Sequence, residues 1–152
     1  MRLSTKGRYA VMAMTDLAAH TDARAVSLAE IAARQQISLP YLEQLFARLR
    51  RAGLVRSARG PGGGYRLAKT ADQTHISEIV LAVDEPIRAT RCTGEDKALG
   101  CMASGEQCLT HGLWEALGRQ IEDYLAGVSL DDVLQRRFEP PPLSPASPQA
   151  AA

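Results

Sequence analysis

Cys92, Cys101, Cys108 and His111 follow one another with eight, six and two residues between them. Thiolate and imidazole are the soft and borderline donors that transition metals take. Structural zinc accepts three cysteines and one histidine, but its sites usually pair cysteines about two to four residues apart, which tightens the knuckle. No two cysteines are so close here. An iron–sulfur cluster is bulkier, prefers thiolates and suits ligands spread along a longer loop. A third reading leaves the thiols reduced and uncoordinated; their clustering and polar flanks speak against it. An odd number of cysteines in so short a span also argues against a disulfide framework. His20 and His75 read as capping or surface residues. No Ser–His–Asp or paired-carboxylate pattern suggests hydrolysis, so the chain does not read as an enzyme.

A second chemistry lies in the charge distribution. The formal net charge of +1 hides 12 Lys/Arg against 4 Asp/Glu over residues 1–69, and 6 against 13 over residues 70–152. A basic half joined to an acidic half points to nucleic acid as the partner of the first. Within the basic half, Glu43 suits a cytosine amino group and Gln44 suits adenine. Ser38, at a helix start, offers a hydroxyl and free N–H groups to phosphate. Arg59 borders Gly60-Pro61-Gly62-Gly63-Gly64, a segment that would let it enter a narrow minor groove. That segment is no phosphate loop, because it lacks the following Lys-Ser/Thr. Arg48, Arg50, Arg51, Arg56 and Arg66 supply the salt-sensitive phosphate term.

The elements that must position these groups follow from pattern. Thr5 to His20 has the apolar content of a core helix. Ser27 with Glu30 forms a capping box that opens a short helix to about Gln35. After a tight turn at Gln36-Ile37, Ser38 caps a helix with Pro40 in its first turn and Leu42, Leu45, Phe46 and Leu49 on one stripe. Two strand-like runs, 54–58 and 65–67, flank the glycine-rich tip as a hairpin. A helix over about 76–83 ends before Pro86, and residues 87–107 read as a loop. Leu109, Leu113, Leu117, Ile121, Tyr124 and Leu125 mark a long helix closed by Gly127. Ser129 caps a last short one, and the proline-rich end reads as disordered. The fold class is mainly α with a small β-hairpin: a winged helix-turn-helix plus a long C-terminal helix. No stretch has the roughly 18 apolar residues of a membrane span, and the N-terminus lacks a signal-peptide pattern. The expectation is a cytoplasmic protein with reduced thiols and no membrane partner.

Over residues 1–135 the sequence resembles the Rrf-type winged-helix transcription factors. The resemblance rests on Met1-Arg2-Leu3, Lys6-Gly7-Arg8-Tyr9-Ala10, Ile37-Ser38-Leu39 and Tyr41-Leu42-Glu43-Gln44-Leu45-Phe46. It continues through Arg59-Gly60-Pro61-Gly62-Gly63-Gly64-Tyr65, Ala82-Val83-Asp84-Glu85 and Arg91-Cys92. Cys108-Leu109-Thr110-His111 singles out the branch that regulates iron–sulfur cluster assembly. The resemblance implies a homodimer whose long C-terminal helix crosses the partner, reading a pseudo-palindromic double-stranded operator. It implies DNA contacts from Ser38, Tyr41, Glu43, Gln44, Arg51, Arg59 and Gly60. It also implies a 2Fe–2S cluster on Cys92, Cys101, Cys108 and His111, supplied by the assembly machinery, with repression by the cluster-bound form and other promoters bound without it. The domain plan is then a DNA-binding domain over 1–84, a cluster loop over 85–108, a dimerisation helix and short terminal helix over 109–137, and a tail over 138–152. Nitric-oxide-sensing relatives with three cysteines and a 4Fe–4S cluster, or with reactive thiols, form the alternative, followed by an iron–sulfur electron carrier. The former recruit an N-terminal acid, whereas this N-terminus is basic (Lys6, Arg8).

Overall fold

The computed structural model describes residues 5–20, 24–83, 101–102 and 104–138. Cys92, most of the loop expected over 85–108 and the tail from Glu139 onward lie outside the described residues. Among the described residues six α-helices and one hairpin follow in order: α1 (Thr5–His20), α2 (Leu28–Gln35), α3 (Leu39–Arg51), β1 (Val55–Ala58), β2 (Gly64–Leu67), α4 (Ile76–Ala82), α5 (His111–Gly127) and α6 (Leu130–Leu134), with a short 3-10 turn at Ala71–Gln73. Among the described residues no helix is long and apolar enough to cross a membrane.

The capping boxes form as their sequences dictate. Ser27 Oγ accepts the Glu30 N–H, and the Glu30 carboxylate accepts the Ser27 N–H at 3.0 Å. Ser129 and Asp132 repeat the arrangement at the start of α6. Gln36 turns the chain between α2 and α3 in the left-handed conformation, with φ of 55°. Ser38 departs from expectation. It occupies the N-cap of α3, but its hydroxyl makes no cap hydrogen bond. Pro40, two residues on, has no N–H to give, which removes one of the two donors a cap oxygen normally takes.

Leu42, Leu45, Phe46 and Leu49 of α3 are buried together with Met14 and Leu17 of α1, Ile31 of α2 and Ile79 of α4. The ring of Phe46 meets that of Tyr65 edge to face, 5.0 Å between centroids, and ties the hairpin to α3. The hairpin pairs antiparallel from Val55–Leu67 to Ala58–Gly64. Its glycines do more than loosen the tip. A Cβ on Gly64 would lie 2.3 Å from the Val26 carbonyl oxygen, because Tyr65 and Val26 bridge there through two backbone bonds of 2.7 and 3.0 Å. Gly60 and Gly62 take positive φ of 100° and 74°, which other residues rarely adopt.

The C-terminal part of the chain returns to this core. The Ile76 N–H donates to Val128 and the Leu130 N–H donates to Thr74, each at 2.9 Å. Leu130 is fully buried. The end of α5 and all of α6 are thereby fastened to the winged-helix unit.

One buried charge fixes α1 against α2. The Asp16 side chain, 2% exposed, accepts two bonds from Arg34 Nε at 3.0 and 3.1 Å, one from Arg34 Nη2 at 2.6 Å and one from Gln35 at 2.7 Å. Burial alone pushes the carboxyl up. The Arg34 and Gln35 hydrogen bonds and the guanidinium charge outweigh it and hold the carboxyl below its ordinary value. A depressed folded-state pKa adds stability that is present above about pH 3.9 and lost as pH falls through the folded value. Urea unfolding between about pH 2 and 5 is expected to show a steep acid limb that flattens in Asp16→Asn. An unchanged limb would assign acid sensitivity to other carboxylates.

Candidate nucleic-acid interface and metal-ligand cluster

The stripe that buries Leu42, Leu45, Phe46 and Leu49 leaves the opposite face of α3 to solvent. Pro40, Glu43, Gln44, Ala47, Arg50 and Arg51 are exposed there, and Ser38 is exposed at its start. Arg59 and Gly60 are exposed at the hairpin tip. Tyr41 is half-buried, its ring against Tyr9 of α1 at 6.0 Å between centroids. It thus braces the helix start as well as bordering the exposed face.

The basic side chains divide into two groups. Arg24 pairs with Glu30, Arg34 with Asp16, Lys69 with Glu78, Arg119 with Glu115 and Arg137 with Asp131 and Asp132. Among the described residues Arg8, Arg50, Arg51, Arg56, Arg59, Arg66 and Arg136 make no such ion pair, and five of these seven belong to the end of α3 or to the hairpin. Arg56 and Arg66 are direct cross-strand partners. Like charges facing each other in a sheet repel, an arrangement that a polyanion between them relieves. Arg48 differs from the phosphate role its sequence suggests. It is half-buried and donates to the Val83 carbonyl oxygen at 3.4 Å, because its position on α3 turns it towards α4.

Three of the four candidate ligands are described. Residues 101–102 and 104–110 form tight turns, with Gly105 N–H to Met102 O at 2.9 Å and His111 N–H to Cys108 O at 3.0 Å. Helix α5 therefore starts at His111, two residues later than the apolar stripe suggests, and Leu109 stands outside it, fully exposed. These turns bring Cys101 Sγ to 3.3 Å from His111 Nδ1. The Cys108 N–H donates to Cys101 Sγ at 3.1 Å, and Cys108 Sγ lies 3.6 Å from Thr110 Oγ1. Among the described residues no three His, Cys, Asp or Glu side chains converge on one point as a mononuclear site needs. Trp114, which no sequence motif marks, donates its indole N–H to Thr110 at 3.1 Å. The i, i+4 spacing across the first turn of α5 was the available signal. His20 and His75 keep to other roles: His20 bonds the Asp16 carbonyl and His75 caps α4.

Residues 3–136 match the family model Rrf2, described as an iron-dependent transcriptional regulator. The HTH-type transcriptional regulator ORF2 of Azotobacter vinelandii is 55% identical over 136 residues, covering 90% of this chain and 80% of its own length. The HTH-type transcriptional regulator IscR of Photorhabdus laumondii subsp. laumondii is 51% identical over 137 residues, covering 90% of this chain and 81% of its own. The solved structure of T. potens IscR superposes with a TM-score of 0.71 at 38% identity, over 91% of this chain and 89% of that one. A winged helix with an uncompensated basic face, matched along nine-tenths of its length by such proteins, belongs to the Rrf2 family and is a DNA-binding transcriptional regulator, not an enzyme.

Proposed function

We propose that the protein is a cytoplasmic homodimer that controls iron–sulfur cluster assembly genes and senses cluster status through a 2Fe–2S cluster held by Cys92, Cys101, Cys108 and His111. The juxtaposition of Cys101 and His111 carries this reading. A sulfur and a nitrogen on one tetrahedral metal, with bonds of about 2.3 and 2.1 Å, stand about 3.6 Å apart. The observed 3.3 Å is close to that separation. A pair of protein ligands is also what each iron of a two-iron cluster takes, whereas zinc needs four around one point. The similarity to regulators named IscR supports the same assignment.

When bound, the cluster supplies a redox-active centre whose presence reports cluster supply from the assembly machinery. The chain's own residues do the rest. Cys101 and Cys108 join the turns over 101–102 and 104–110 to His111, the first residue of α5. The exposed apolar side of α5 supplies the dimer contact. The plan of a DNA-binding unit over 1–84, a cluster loop over 85–108 and a dimerising segment over 109–137 follows from this division. Ser38 at the N-cap of α3, Tyr41, Glu43, Gln44 and Arg51 on that helix, and Arg59 and Gly60 on the wing then face a pseudo-palindromic operator, each protomer reading one half-site.

Anaerobic purification followed by visible absorbance and iron and sulfide assay tests the cluster directly; a colourless protein without iron would sink it. The DNA arm has its own test. Arg59→Ala is expected to weaken specific binding by about 1–3 kcal/mol if its guanidinium reads a base edge. Glu43→Ala is expected to relax sequence preference, because an exposed carboxylate repels phosphate unless a cytosine amino group meets it. Equal weakening at all sites would remove Glu43 from sequence readout.

A further inference from the structure

Thr110 sits between two side chains with fixed hydrogen-bonding character. Its Oγ1 accepts from the Trp114 indole Nε1–H at 3.1 Å and stands 3.6 Å from Cys108 Sγ. An indole nitrogen can only donate. A cysteine that ligates metal is a thiolate, which can only accept. With Trp114 occupying one lone pair of the hydroxyl, one proton position satisfies all three groups: the Thr110 hydroxyl donating to Cys108 Sγ. The Cys101 sulfur has a comparable donor in the Cys108 backbone N–H, at 3.1 Å. That donor is part of the main chain, whereas the Thr110 hydroxyl is a side-chain group and can be removed alone.

We infer that Thr110, oriented by Trp114, is a positioning residue that tunes the cluster by donating a hydrogen bond to the Cys108 sulfur. The inference rests on the cluster reading above. A hydrogen bond to a ligating sulfur stabilises the added negative charge of the reduced state, so it raises the reduction potential. Trp114 is the sole tryptophan of the chain, and its position one helical turn after Thr110 keeps the hydroxyl from rotating away. Neither residue belongs to the buried hydrophobic core, so each can change without removing the support of the fold.

The test is a redox titration of the full-length, anaerobically loaded protein with dithionite and mediators, comparing wild type with Thr110→Val, Thr110→Ser and Trp114→Phe. Valine keeps the shape and removes the hydroxyl; serine keeps the hydroxyl. The potential of Thr110→Val is expected to shift to a more negative value, that of Thr110→Ser to stay with wild type, and that of Trp114→Phe to shift in the same direction as valine but less. A Thr110→Val potential equal to wild type overturns the inference, and so does a Thr110→Ser shift as large as valine's, which would assign the effect to packing. Loss of cluster in valine with retention in serine upholds it. If neither Thr110 variant loads, Trp114→Phe decides, and an unshifted potential there overturns it. A wild type without iron and sulfide overturns the cluster reading and this inference together. A loaded wild type with an unshifted valine variant overturns this inference alone.

Discussion

Cys108→Ala is expected to lose its bound iron and visible absorbance while unfolding at the same denaturant midpoint as the metal-free wild type. Cys101→Ala and Cys92→Ala are expected to lose the cluster likewise. A cluster held by four protein ligands does not survive the loss of a thiolate. The fold should survive it, because the buried core is made from α1 to α4, the hairpin and Leu130, and contains neither Cys101 nor Cys108. Cys101 is exposed and Cys108 only half-buried. Substitutions at such positions change stability by about 0.5 kcal/mol or less. Iron and sulfide assay with urea unfolding of the anaerobic apo-proteins checks both halves. Retained iron in Cys108→Ala would remove that residue from the ligand set, and a large loss of stability would show that the turns around Cys101 and Cys108 support the core after all.

Leu113→Asp is expected to produce a folded monomer with operator affinity reduced by about 10²–10⁴-fold. The factor is the effective-concentration advantage of engaging two half-sites at once. Helix α5, 17 residues and about 25 Å long, has two apolar flanks. Gly118 is buried, and Leu125 packs against the core. Leu113 remains 61% exposed and Tyr124 38% exposed, with Leu117 half-buried between them on the same side. A contiguous apolar ridge of this kind on a helix marks an association surface. Aspartate at Leu113 meets solvent in the monomer, so the protomer keeps its fold. In a two-fold interface it places a charge on each side of the contact. Sedimentation gives the oligomeric state, and binding to full and half operators separates lost dimerisation from a damaged reading head. A dimeric Leu113→Asp, or a half-site affinity that falls with the full-site affinity, would move the interface elsewhere.

Periodicity and capping chemistry dictate most of the local structure. Ser27 with Glu30, Ser129 with Asp132, the α3 stripe and the two strand-like runs each draw on neighbours within a few residues, so their outcome is written into the local chain. The basic character of residues 1–69 was legible for the same reason, since charge is additive along sequence. Which arginines are uncompensated was not. Arg34 meets Asp16 across 18 residues, and Arg48 reaches Val83 across 35. Only tertiary packing could take Arg34 out of the basic surplus and Arg48 out of the phosphate-facing set. The glycine tip shows the same division. Composition predicted a hairpin, but the need for Gly64 comes from the Val26 backbone lying against it, a contact made between distant segments. In the cysteine region the residue types named the chemistry and their spacing left several metals open. The turns over 101–102 and 104–110, which set a sulfur against an imidazole ring nitrogen through backbone bonds such as His111 N–H to Cys108 O, brought Cys101 and His111 together and put Thr110 between Cys108 and Trp114. Sequence thus determined what each segment could do, because side-chain chemistry and local hydrogen bonding are properties of the chain. Tertiary structure decided which groups meet, because charge pairing, close backbone approach and ligand separation depend on contacts between segments that the sequence holds apart.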